Sequence, residues 1–69
     1  MVEIKFGERL KELRLDKHLK QVDIAKIMSV RDATVSRWEK GQDEPDYKTL
    51  ATLAKFFNVK IEYLLGLED

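Results

Sequence analysis

Cysteine is absent from this chain and histidine occurs once, at His18. The first absence excludes a disulfide framework, a thiol nucleophile and a thiolate metal site, and one imidazole makes no metal or catalytic cluster. This usage fits a reducing cytoplasm without demanding one. No apolar run approaches the roughly 18 residues that a membrane span needs, and no signal-peptide apolar region opens the chain. The expectation is a soluble, cytoplasmic protein. Net charge is also missing, with 13 Lys and Arg against 13 Asp and Glu. That balance counts against the simplest nucleic-acid reading, since domains with that role are usually basic. At 69 residues the chain has room for one domain and one modest core, and buries about 60% of its unfolded surface.

The distribution of charge says more than its sum. Residues 1–41 carry three more cations than acids, and residues 42–69 carry three more acids than cations. One half is mildly basic, which would orient the molecule weakly on a polyanion. Helical periodicity dominates and strand alternation is absent. Phe6, Leu10 and Leu13, with Lys17 in register, predict a first helix over about 4–16. Ile24, Ala25 and Met28 face inward on a second, about 21–28. Val35 and Trp38 do so on a third, about 32–40, with Asp32 as its expected N-cap and Gly41 as its left-handed end. Asp46 caps a fourth over about 47–57, which buries Leu50, Leu53, Ala54 and Phe57. Ile61, Leu64 and Leu65 form a fifth, about 61–65, before Gly66, with residues 67–69 frayed. Leu19 is expected to plug the core between the first two. The fold class is all-α, five helices in one domain over 1–69.

The stretch Gln21–Trp38 carries the functional signal. Two short helices can cross closely only where the contact residue is small, and Ala25 is small. The chain must reverse between them in about three residues, which calls for a residue at positive φ. Ser29 holds that place, at roughly 1 kcal/mol more than glycine. Val30 anchors the turn, while Val35 and Trp38 fasten the third helix from behind. That leaves residues 32, 33, 36, 37 and 40 outward, an arrangement able to deliver a helix into the DNA major groove.

Taken together, Arg9-Leu10-Lys11-Glu12-Leu13-Arg14, Leu19, Gln21, Ile24-Ala25, Val30, Thr34-Val35-Ser36-Arg37-Trp38-Glu39, Gly41 and Pro45 resemble the phage-repressor/Cro type of helix-turn-helix domain. This is the lambda-repressor-like fold often called the Xre family. Leu50, Leu53, Ala54, Val59, Leu64-Leu65 and Gly66 extend the match, which runs from Phe6 to Gly66. The resemblance implies a sequence-specific regulator of transcription, a repressor above all, acting as a homodimer on double-stranded DNA. It implies a phosphate contact from Gln21 and a structural pair between Arg14 and Glu39. Base contacts fall to Asp32, Ala33, Ser36 and Arg37, of which Arg37 can engage O6 and N7 of guanine in two parallel bonds. Lys20, Gln21, Arg31, Thr34 and Lys40 are the phosphate candidates. The chain departs from the pattern at Lys20, where a hydroxyl cap is usual, at Ser29, and at Arg31, where a small hydroxyl residue is common. Asp43-Glu44, with Asp46 beyond, place acids in a loop that often follows the DNA backbone. Acids there repel phosphate, so either they point away or DNA affinity is weak.

Each of these residues also has a plainer role open to it. Arginine on an exposed helix is ordinarily only solvated. Trp38, at its spacing from Val35, is core rather than a stacking surface, and His18 is a surface residue. Ser36 and Thr34 have no histidine or lysine placed to activate them. The acids at 43, 44 and 46 lack the spacing of a calcium loop. No enzyme, metal or cofactor is expected. Phe56, Tyr63 and Leu67 are left over from the core pattern near the last helix and are possible dimer contacts. Dimerisation would help, because one module covers only about 600–1,000 Å² on DNA. The rival reading is the same fold used as a protein–protein module, an antitoxin or adaptor with weak DNA binding.

Overall fold

The structure, a computed structural model, describes residues 5–67. Among them, five helices follow one another: α1 (Phe6–Asp16), α2 (Gln21–Met28), α3 (Asp32–Glu39), α4 (Tyr47–Phe57) and α5 (Ile61–Leu64). No strand occurs among the described residues. The ends differ slightly from the sequence expectation. Lys5 is the N-cap residue of α1 rather than helical, and residue 4 lies outside the described part. Lys40 and Leu65 are C-cap residues, so α3 and α5 each stop one residue early. Asp32 is not the cap of α3. Arg31 takes that place in extended conformation, and Asp32 opens the helix with its carboxylate accepting the Ala33 N–H at 2.9 Å. An acid in the first turn still complements the positive helix start. Residues 68 and 69 lie outside the described part, but Leu67 is not frayed: its N–H bonds the Glu62 carbonyl at 2.8 Å.

The core gathers one stripe from each helix. Leu10, Ile24, Val35, Leu53 and Leu64 are fully enclosed, and Phe6, Ala25, Trp38, Leu50, Ala54 and Phe57 surround them. Each large apolar side chain buried in this way contributes about 1.5–3 kcal/mol before the entropy of ordering is counted. Phe6 meets Trp38 edge-on with ring centroids 6.3 Å apart, which joins α1 to α3. Leu13, Met28 and Leu65 are only partly buried. Lys17 is exposed, and so is Ile61, expected inside. α5 is a single turn, and Ile61 sits at its open end, where Leu64 alone reaches the centre.

All five described helices end in the same way. His18, Ser29, Gly41, Asn58 and Gly66 take φ between 56° and 80°. In each case that residue's N–H bonds the carbonyl three back, and the next N–H bonds the carbonyl five back: Leu19 to Arg14, Val30 to Ala25, Gln42 to Arg37, Val59 to Ala54 and Leu67 to Glu62. This closure satisfies helix carbonyls that would otherwise lack partners and turns the chain sharply. Leu19, Val30 and Val59 drop from it onto the core. After α3 the equivalent residue is Gln42, exposed and polar, so the chain leaves the core there. The longest irregular segment starts at that point.

Candidate nucleic-acid interface

α2 and α3 form the most closely associated pair of helices, with Ala25 of α2 buried in the core and Ser29 at φ 58° in the turn. Beneath the end of α3 lies a polar clamp. Arg14, buried on α1, donates from Nε and Nη2 to the two oxygens of Glu39 at 2.7 and 3.0 Å, and from Nη1 to the Leu19 carbonyl at 3.0 Å. Gln21, the first residue of α2, donates from Nε2 to Glu39 Oε1 at 3.1 Å. One carboxylate therefore ties three helices together. The bond to Glu39, more than its charge, holds the Arg14 pKa above its ordinary value, against the opposing effect of burial. Two parallel bonds to a planar carboxylate are the geometry that arginine, unlike lysine, supplies.

Gly7 completes the support. A Cβ there would stand 2.6 Å from the carbonyl oxygens of Trp38 and Glu39, so α1 approaches the end of α3 as closely as it does only because no side chain intervenes. With Val35 and Trp38 buried behind it, α3 is fixed from the back. Its outward residues are Asp32, Ala33, Arg37 and Lys40, all exposed, with Arg31 before them; Thr34 and Ser36 are half-buried. Lys20 is exposed, and its backbone N–H donates to the Asp23 carboxylate at 2.7 Å, while its own carbonyl, in place of the missing hydroxyl, accepts the Asp23 N–H at 3.0 Å.

The acidic loop has a specific arrangement. Asp43 turns back to α3, where its Oδ2 accepts from Arg37 Nε at 2.7 Å. Asp46 caps α4 by accepting the Thr49 N–H at 2.9 Å, and the bonds from Thr49 hold its carboxyl below the usual range. Two of the three loop acids are therefore engaged within the domain. Glu44 lies at the edge of an open hollow of about 410 Å³, floored by Phe6, Leu50 and Leu65 and containing no α3 residue.

The architecture matches a known group. The family model described as helix-turn-helix, HTH_3, matches residues 10–64. The chain belongs to this helix-turn-helix family. Over 66 residues it is 36% identical to the HTH-type transcriptional activator BcrR of Enterococcus faecalis, covering 96% of this chain and 32% of that protein. A transcriptional regulator from Listeria innocua superimposes with a TM-score of 0.93 at 31% identity, over 99% of this chain and 64% of its own. The P22 c2 repressor, in complex with a synthetic operator, superimposes with a TM-score of 0.83 at 28% identity, over 91% of this chain and 96% of its own. The family resemblance read from the residues and the all-α, five-helix, lambda-repressor-like class are thus both met. The chain spans between about a third and a half of the length of the first curated relatives it matches.

Within this helix-turn-helix domain, Arg14, Gln21 and Glu39 are brought together, and Arg37 is joined to Asp43. Of the three apolar residues near α5, Phe56 and Leu67 are exposed, while Tyr63 is half-buried with the Arg9 guanidinium 4.5 Å from its ring centre. The sequence reading missed Gly7, the left-handed His18, and the Arg37–Asp43 pair. Gly7 left a signal, a glycine inside a helical pattern. The six-residue separation of Arg37 and Asp43 fits no helical spacing and gave none.

Proposed function

We propose that this domain is a sequence-specific, double-stranded DNA-binding regulator of transcription, a repressor, which places α3 in the major groove. The observation that carries this reading is the contrast across α3. Its inner side is locked by Val35, Trp38 and the Glu39 clamp, and its outer side presents Asp32, Ala33, Arg37 and Lys40 to solvent. The likeness to a repressor seen with its operator supports it. Arg37 reads a base edge, aided by Asp32, Ala33 and Ser36. Lys20, Gln21, Arg31, Thr34 and Lys40 meet phosphates, Gln21 with the amide hydrogen that Glu39 leaves free. Two copies joined through Phe56, Tyr63 and Leu67 would address half-sites about one helical turn apart. The place of action is the cytoplasm, on bacterial or phage DNA. No part of this role calls for catalysis or a cofactor.

Fluorescence anisotropy against a randomised duplex pool, with selection and salt titration, tests the proposal. About 3–5 phosphate contacts per subunit give a slope of log K on log salt near −3 to −4. Gln21→Ala weakens binding to every sequence alike, whereas Arg37→Ala relaxes the choice at one base pair by about 1–3 kcal/mol. A chain that retains no duplex, or whose binding ignores both changes, leaves the protein–protein role of this fold in its place.

A further inference from the structure

The geometry points to Asp43 as a positioning residue for base reading: its carboxylate buttresses the Arg37 guanidinium so that its two Nη groups are offered together to a guanine. The inference rests on the DNA reading above and goes beyond it. Asp43 engages Nε alone, at 2.7 Å, and no other hydrogen bond from this guanidinium occurs among the described residues. An arginine can pair with a guanine edge side-on, through Nε and one Nη, or end-on, through both Nη groups. With Nε occupied, only the end-on mode remains.

The pair has no evident folding role. The Arg37 and Asp43 side chains are 57% and 47% exposed, and ion pairs so placed add little to stability. Yet the backbone is built to form it. Gly41, at φ 76°, closes α3, and the Gln42 N–H returns to the carbonyl of Arg37 itself at 2.9 Å. That bond sets residue 43 beside the side chain of residue 37. Elsewhere in the described chain the residue in the Gln42 place is apolar; here the segment is free to serve the outer face. A free arginine side chain loses rotamer freedom when it binds, and one already held loses less. The acid that seemed to oppose DNA is thereby partly neutralised and put to use.

The test carries wild type, Arg37→Ala, Asp43→Ala and Asp43→Asn through selection from a randomised duplex pool. Anisotropy at fixed salt then compares the selected duplex with its single-base variants and with a scrambled duplex. Arg37→Ala should abolish the preference for guanine at one base pair. Asp43→Ala should cut discrimination at that same base pair by about 2- to 12-fold, without weakening binding to the scrambled duplex. Asp43→Asn, which keeps an acceptor, should fall between. The inference is overturned if Asp43→Ala leaves the preference intact, or shifts affinity for all sequences equally in either direction. A wild type that selects a sequence while Asp43→Ala changes nothing refutes the buttress alone. A wild type that selects none refutes the DNA reading and this inference together.

Discussion

Replacing Glu39 by alanine would remove the carboxylate on which α1, α2 and α3 converge. The substitution strips Arg14 of two of its three described bonds and leaves the Gln21 amide without its acceptor. The Glu39 and Arg14 side chains are 5% and 10% exposed, so solvent repairs the loss poorly. Breaking a pair this enclosed from one side costs about 3–5 kcal/mol, against about 0–1 kcal/mol for an exposed pair. A chain of this size has a total stability of only about 3.5–10 kcal/mol. Even the lower figure lowers the Tm by about 12–24 °C. The carboxylate exists to match the arginine, so the double replacement Arg14→Met with Glu39→Leu should recover most of the loss, as apolar substitution of a whole buried pair often does. Thermal and urea unfolding of the wild type, Arg14→Met, Glu39→Leu and the double variant form the required cycle, with Glu39→Ala measured beside them. A Glu39→Ala loss below about 1 kcal/mol, or a double variant no better than the single, would refute the idea that this pair is a desolvated clamp.

Gly7→Ala forces a methyl group to within 2.6 Å of two backbone oxygens. It should cost about 1–3 kcal/mol or more in denaturant unfolding, and an unchanged midpoint would mean that α1 moves away freely. Ser29→Gly relieves the left-handed strain at φ 58° and should stabilise by about 0.5–1 kcal/mol; a loss of stability would contradict that account of the turn. Asp46→Asn should lower the melting temperature at neutral pH, because the folded carboxyl has its pKa depressed by the bonds from Thr49. A depressed folded value gives stability that is complete above the unfolded pKa, about 4, and is lost as pH falls through the folded one. The gap between wild type and variant should therefore close on acidification from about pH 5 to about pH 2, and a gap that widens would reverse the sign.

Much of this molecule was legible in the order of its residues, because local rules suffice for it. Apolar spacing of three and four gave five helices. Asp46 was identifiable as a cap, since its bond to the Thr49 amide is local, and Ser29 and Gly41 were identifiable as left-handed ends because a sharp turn has few solutions. Arg14 and Glu39 are 25 positions apart, and only the likeness to a known family suggested that they meet. Asp32 shows the limit of local rules: an acid one residue inside a helix reads much like one at its cap.

What the sequence by itself determined was the set of helices, the side of each that turns inward, and hence the outward stretch around Arg37. Tertiary structure alone decided what meets that stretch. The separation of Arg37 and Asp43 follows no helical period, and their contact exists because the closure at Gly41 folds the loop back. Likewise the need for Gly7 arises from the distance between two helices, a quantity no single segment contains.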